Sequence, residues 1–112
     1  MGFRIGDEGR KERLQADLAG LVERLKIRGV RRIILFGSLA RGDVGPASDI
    51  DLLVVQETDK PFMARLDEFY DLFDERPAMD ILVYTPDEIA LLAETNSFVR
   101  RALREGKVLY EA

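Results

Sequence analysis

The chain is predicted to fold as a small α/β domain, and three observations predict it. Short apolar runs (IILF, LLVV, ILVY) alternate with stretches whose apolar residues recur at helical spacing, giving the order α-β-α(short)-β-α-β-α-α-(β). With 112 residues the chain is long enough for one modest core. A hydrophobic content of 46% beside 34% charged residues suits a folded protein rather than a disordered one.

In chain order, residues 1–9 carry early glycines and mixed charge and are expected to form a loose arm. From Arg10 the apolar positions Leu14, Leu18, Leu21, Val22 and Leu25 mark one face of a helix, which Gly29 would cap. Residues 30–36 and 49–55 read as strands apolar on both faces. Thr58 and Asp59 offer a cap ahead of a stripe through Phe62, Leu66, Phe69, Tyr70 and Phe73, which Arg76-Pro77 would end. Residues 79–84 form a third strand. Thr85-Pro86-Asp87-Glu88 is then a capping box with proline at the first helical position. Thr95-Asn96 can start a further helix, with Phe98, Val99, Ala102 and Leu103 facing inward, that ends at Gly106, and residues 108–110 can add an edge strand. No repeat, linker or low-complexity segment interrupts this order, so residues 1–112 are expected to be one domain.

Composition narrows the chemistry. Lys+Arg 17 against Asp+Glu 21 leaves a net charge of −4, which speaks against general nucleic-acid binding. The basic residues Arg24, Lys26, Arg28, Arg31, Arg32, Arg100, Arg101, Arg104 and Lys107 mostly fall near helix C-termini, where the helix dipole favours cations. Cysteine and histidine are both absent, which removes thiolate chemistry, the commonest general base and the commonest transition-metal ligands. Any metal should then be a hard, oxygen-bound cation, magnesium or manganese. No apolar run approaches the roughly 20 residues a membrane helix needs. No secretory apolar segment opens the chain, so a cytoplasmic location is expected.

The informative stretch is residues 32–56, RIILFGSLARGDVGPASDIDLLVVQ. Gly37-Ser38 after a buried strand would let a phosphate approach the backbone, with the Ser38 hydroxyl and the free N–H groups of a short helix facing it. A tight turn explains the same two residues equally well. The spacing from Gly37 to Gly42 imitates a P-loop, but Asp43-Val44 stands where Lys-Ser/Thr is required. Asp49 and Asp51, two apart on a strand, point to the same face. Like charges side by side are costly without a compensating cation, and strand interiors disfavour aspartate. Asp80 repeats the oddity at the start of the third strand, and three such carboxylates could converge on a metal. Arg41 can reach a phosphate, remain an exposed helix arginine, or pair with Asp43.

Taken together, Gly37-Ser38, ten residues, then Asp49-Ile50-Asp51, with Arg41-Gly42 between and Ser48 before, resembles the signature of the DNA polymerase β-like nucleotidyltransferase superfamily. The nearest likeness is to the minimal nucleotidyltransferases of prokaryotic HEPN/MNT toxin–antitoxin pairs, and it runs through Asp80 to the terminal GKVLYE. The resemblance implies a small mixed sheet with helices packed mainly on one face. It implies transfer of a nucleoside monophosphate, AMP from ATP, to a hydroxyl acceptor. Gly37, Ser38, Arg41 and Ser48 would hold the nucleotide, and Asp49 and Asp51 two magnesium ions, with manganese as the substitute. Asp80 would complete the metal site nearer the acceptor and, with no histidine available, receive or relay its proton.

Larger relatives carry a second, acceptor-binding domain, which is not expected here. The acceptor surface is therefore expected from a partner chain such as a HEPN-type toxin, or from a second copy. Leu53 and Val55 share the face of the aspartates and are expected to be partly bare, forming an interface. Two other readings remain: a binding module that neutralises a toxin by contact, and a small-molecule adenylyltransferase of the aminoglycoside-modifying kind.

Overall fold

A computed structural model of the chain describes residues 5–41, 50–70 and 79–112. The side chains of residues 5–11 and 68–70, and of Ser38, Leu39 and Leu66, lie outside those described. The elements follow the expected order: α1 (Ile5–Ile27), β1 (Arg32–Phe36), α2 (Gly37–Arg41), β2 (Ile50–Val55), α3 (Phe62–Tyr70), β3 (Met79–Tyr84), α4 (Pro86–Thr95), α5 (Ser97–Glu105) and β4 (Lys107–Glu111). Helix α1 begins at Ile5, so residues 5–9 form its first turns instead of a loose arm. The expected helix break at Arg76-Pro77 lies outside the described residues.

The four strands form one mixed sheet in the order β3-β2-β1-β4. β1 runs antiparallel to both β2 and β4, whereas β2 and β3 are parallel. This is the mixed α+β architecture that the sequence predicts. The helices, expected mainly on one face, are distributed over both. On one side Leu14, Leu21 and Leu25 of α1 pack with Ile33, Leu35, Leu52, Val54, Ile81 and Val83. On the other, Ile89 of α4 and Val99 and Ala102 of α5 pack with Ile34, Leu53 and Val55. The reason lies in β2: from Leu52 onward every residue is large and apolar, so both faces of this central strand require cover.

That second core corrects the expectation of a bare interface. Leu53 and Val55 are 0% and 2% exposed, because α4 and α5 close over them. The two covering helices are well defined at their starts. Thr85 accepts from the Glu88 N–H, and the Glu88 carboxylate accepts from the Thr85 N–H, completing the capping box. Asn96 caps α5 by accepting from the Val99 N–H. Gly29 ends α1 at φ +83°, a left-handed conformation that glycine adopts without strain.

Candidate active site

The site is assembled at one end of the sheet, where β1 finishes and the parallel strands β2 and β3 begin. The strand register places Phe36 of β1 opposite Asp51, and Asp51 opposite Asp80. In-register residues on neighbouring strands present their side chains on the same face, and such strands lie about 4.8 Å apart. Asp51 and Asp80 are therefore register neighbours on one face. It is the face carrying Leu53 and Val55, but the carboxylates sit beyond the apolar cover. Asp51 is half-buried and Asp80 exposed.

Gly37 adjoins this pair. It has φ +75°, and an added Cβ would collide with Asp51 Oδ2, with Asp51 Cγ only 3.1 Å away. The junction of β1 and α2 thus sets bare backbone against the Asp51 carboxylate, where a Cβ would force that side chain to shift and the positive φ favours glycine. Arg41, at the end of α2, is exposed and faces α5 across an open cleft. Asp49 and Ser48 lie outside the described residues, as does the side chain of Ser38, whose backbone belongs to α2. Among the described residues no three carboxylates gather into one cluster. Asp51 and Asp80 nonetheless offer oxygen donors alone, the set a hard divalent cation prefers.

Beside the carboxylates is a cleft of about 280 Å³. Phe36, Gly37, Ala40 and Arg41 form one wall; Phe98, Arg101, Ala102 and Glu105 of α5 form the other. Phe98 meets Phe36 edge to face, with ring centroids 5.6 Å apart at 86°. Arg101 Nε donates to Glu105 Oε2 at 2.9 Å. That hydrogen bond lowers the Glu105 pKa from the usual carboxylate value, and the charges of Arg101, Arg104 and Arg41 add to the effect. By sequence position Arg100, Arg101 and Arg104 all suit a helix C-terminus, where the dipole favours cations. In the structure they differ: Arg100 Nη2 donates to the Glu94 carbonyl at 2.6 Å, tying α5 to the end of α4, while Arg101 belongs to the cleft. Only the packing of α5 against β1 makes this wall, and no local spacing in the sequence announces it.

Known proteins share this fold. The family model of the nucleotidyltransferase domain matches residues 18–110, most of the chain and all four strands. The chain belongs to the nucleotidyltransferase domain family. A curated relative from Methanocaldococcus jannaschii, provisionally named a protein adenylyltransferase, is 37% identical over 86 residues, covering 76% of this chain and 84% of its own. A crystal structure from Sulfolobus solfataricus, provisionally named a nucleotidyltransferase, superposes with a TM-score of 0.68 at 20% identity. It spans 99% of this chain and 92% of that one, so the fold is shared across the full domain. This nucleotidyltransferase is accordingly an enzyme. Among its described residues, no helix is long and apolar enough to cross a membrane.

Proposed function

We propose that this nucleotidyltransferase moves AMP from ATP, with magnesium, onto a hydroxyl of a partner protein in the cytoplasm, and that the partner is a HEPN-type toxin that it silences as an antitoxin. The observation carrying the reading is the register that sets Asp51 beside Asp80, with the bare backbone of Gly37 against Asp51. The protein acceptor is supported by the name of the M. jannaschii relative, and the toxin by the resemblance of the Gly37-Ser38…Asp49-Ile50-Asp51 pattern to minimal nucleotidyltransferases.

The acceptor oxygen attacks the α-phosphorus, the bond from that phosphorus to the bridging oxygen breaks, and pyrophosphate leaves. Divalent cations bound by Asp51, Asp80 and Asp49 would offset the charge building on the attacking and leaving oxygens. Asp80, exposed at the outer strand β3, is the group of this chain best situated to take or relay the hydroxyl proton. Gly37, Ser38, Arg41 and Ser48 would retain the triphosphate.

The test is transfer of label from α-labelled ATP with magnesium onto the purified partner. Wild type should label it, and Asp51→Asn with Asp80→Asn should reduce transfer by at least about 100-fold. Undiminished labelling by the double variant would remove these carboxylates from the chemistry. A wild type that silences its partner without labelling it would be a binding module.

A further inference from the structure

Apart from Gly37 and Arg41, the residues lining the cleft have no role in the transfer chemistry above, and through those two the cleft adjoins it. The sheet order β3-β2-β1-β4 sets Asp80 on one side of Asp51 and the cleft on the other. An acceptor met by Asp80 would therefore come in from the β3 flank, leaving the β1–α5 flank to the rest of the nucleotide.

The lining indicates which part. Phe98 is 51% exposed although it belongs to a helix that buries Val99 and Ala102, and Phe36 fixes its ring edge to face. One large aromatic side chain is thus oriented and half in solvent at the mouth of a site. Every nucleobase has a π-face that stacks on such a ring. Arg41, on the opposite wall, belongs to the triphosphate end, but on the α5 wall the charges argue against a polyphosphate chain. Arg101 is already engaged by Glu105 at 2.9 Å, and the ionised Glu105 carboxylate would repel phosphate while accepting readily from hydroxyl or amino donors. At about 280 Å³ the cleft also falls just under the roughly 300–1,000 Å³ typical of pockets that hold a whole small ligand, so it suits a portion of a nucleoside triphosphate.

We propose, resting on the nucleoside-triphosphate reading above, that this cleft receives the nucleoside half of the substrate, with its base stacked on Phe98. Phe98 would then be the residue by which this domain holds the base.

Calorimetric titration with two ligands separates this inference from the reading beneath it. One ligand is the magnesium complex of α,β-methylene ATP, which cannot transfer; the other is magnesium tripolyphosphate, which lacks a nucleoside. Phe98→Leu, which keeps apolar bulk but removes the ring, should raise the Kd for the ATP analogue about 10-fold. Phe98→Ala should do the same, and Phe98→Tyr should bind like wild type. All three variants should bind tripolyphosphate as wild type does, which also shows that they are folded. If Phe98→Leu binds the analogue normally while Asp51→Asn weakens both ligands, the base lies elsewhere and only the nucleotide reading survives. Equal weakening of both ligands by Phe98→Leu would give the cleft to the phosphates and overturn the inference. If wild type binds neither ligand, both readings fail.

Discussion

Gly37 carries two independent constraints at one Cα, and they can be separated. Its φ of +75° would cost a substituted residue about 1–2 kcal/mol, and the collision with Asp51 Oδ2 adds a steric term. Gly37→Ala should therefore lower the free energy of unfolding by more than the backbone term alone, roughly 2–4 kcal/mol, with loss of transfer. In an Asp51→Gly background the collision partner is gone, and the same substitution should cost only the backbone term, about 1–2 kcal/mol. Urea unfolding of the four proteins gives the coupling directly; equal costs in both backgrounds would show that the carboxylate does not bear on Gly37. From the sequence, Gly37 was legible as a glycine needed for close approach, but the approaching group was read as a phosphate alone. That Asp51 also demands it follows from the β1–β2 register, which pairs Phe36 with Asp51 and cannot be read from either residue's neighbours.

At the scale of elements, Glu88 links three of them. As the third residue of α4 it closes the capping box, and it also receives Arg65 of α3 through Nη1 at 2.6 Å and Nη2 at 3.2 Å. Arg65 is 6% exposed and also donates to the Val83 carbonyl of β3 at 2.9 Å and the Lys60 carbonyl at 2.8 Å. The Arg65 guanidinium first, and the Thr85 N–H after it, lower the Glu88 pKa from 4.5 to about 2. A carboxylate whose pKa is depressed on folding stabilises the protein above its unfolded value and loses that contribution as pH falls through the folded one. The window is thus about pH 5 to 2. Because 41% of the Glu88 side chain is exposed, solvent screens the pair and about 1–2 kcal/mol is expected at pH 7. Glu88→Gln keeps the cap and removes the charge, so wild type should exceed it by that amount at pH 7 and match it near pH 2. A difference constant with pH would refute the assignment. The capping box was legible because its signature is local; the arginine was not, since Arg65 meets Glu88 only once β3 and α4 stand beside α3. The same limit explains Leu53. Its alternation with Asp51 predicted their shared face correctly, but nothing local showed that α4 and α5 would cover it. Leu53→Ala should consequently cost a core-sized 2–5 kcal/mol, roughly what Leu52→Ala costs on the opposite face. A partly bare Leu53 would cost far less.

For the molecule as a whole, neither core extends to the sheet end where Asp51 stands beside Asp80 in the strand register and against Gly37. Central β2 is sealed on both faces from Leu52 to Val55 and opens at Asp51, so the strand that anchors both cores also carries a site carboxylate. A ligand bound there engages β1, β2 and β3 together, and an unfolded chain cannot reproduce that arrangement. Binding should therefore stabilise the entire domain rather than a single loop. With a magnesium nucleotide at about 100 times its Kd, the stabilisation is about 2.7 kcal/mol. In a domain of this size that corresponds to a rise in Tm of roughly 10 °C or more. Magnesium with the α,β-methylene ATP analogue should produce the shift in wild type. Asp51→Asn with Asp80→Asn should abolish it, whereas Phe98→Leu should retain a reduced shift at the same ligand concentration because its phosphate and metal contacts persist. Scanning calorimetry measures all three. The double variant decides the matter: if it still gains the full shift, the nucleotide is held away from the strand ends, and the register of Asp51 with Asp80 is a feature of the fold and not of the site.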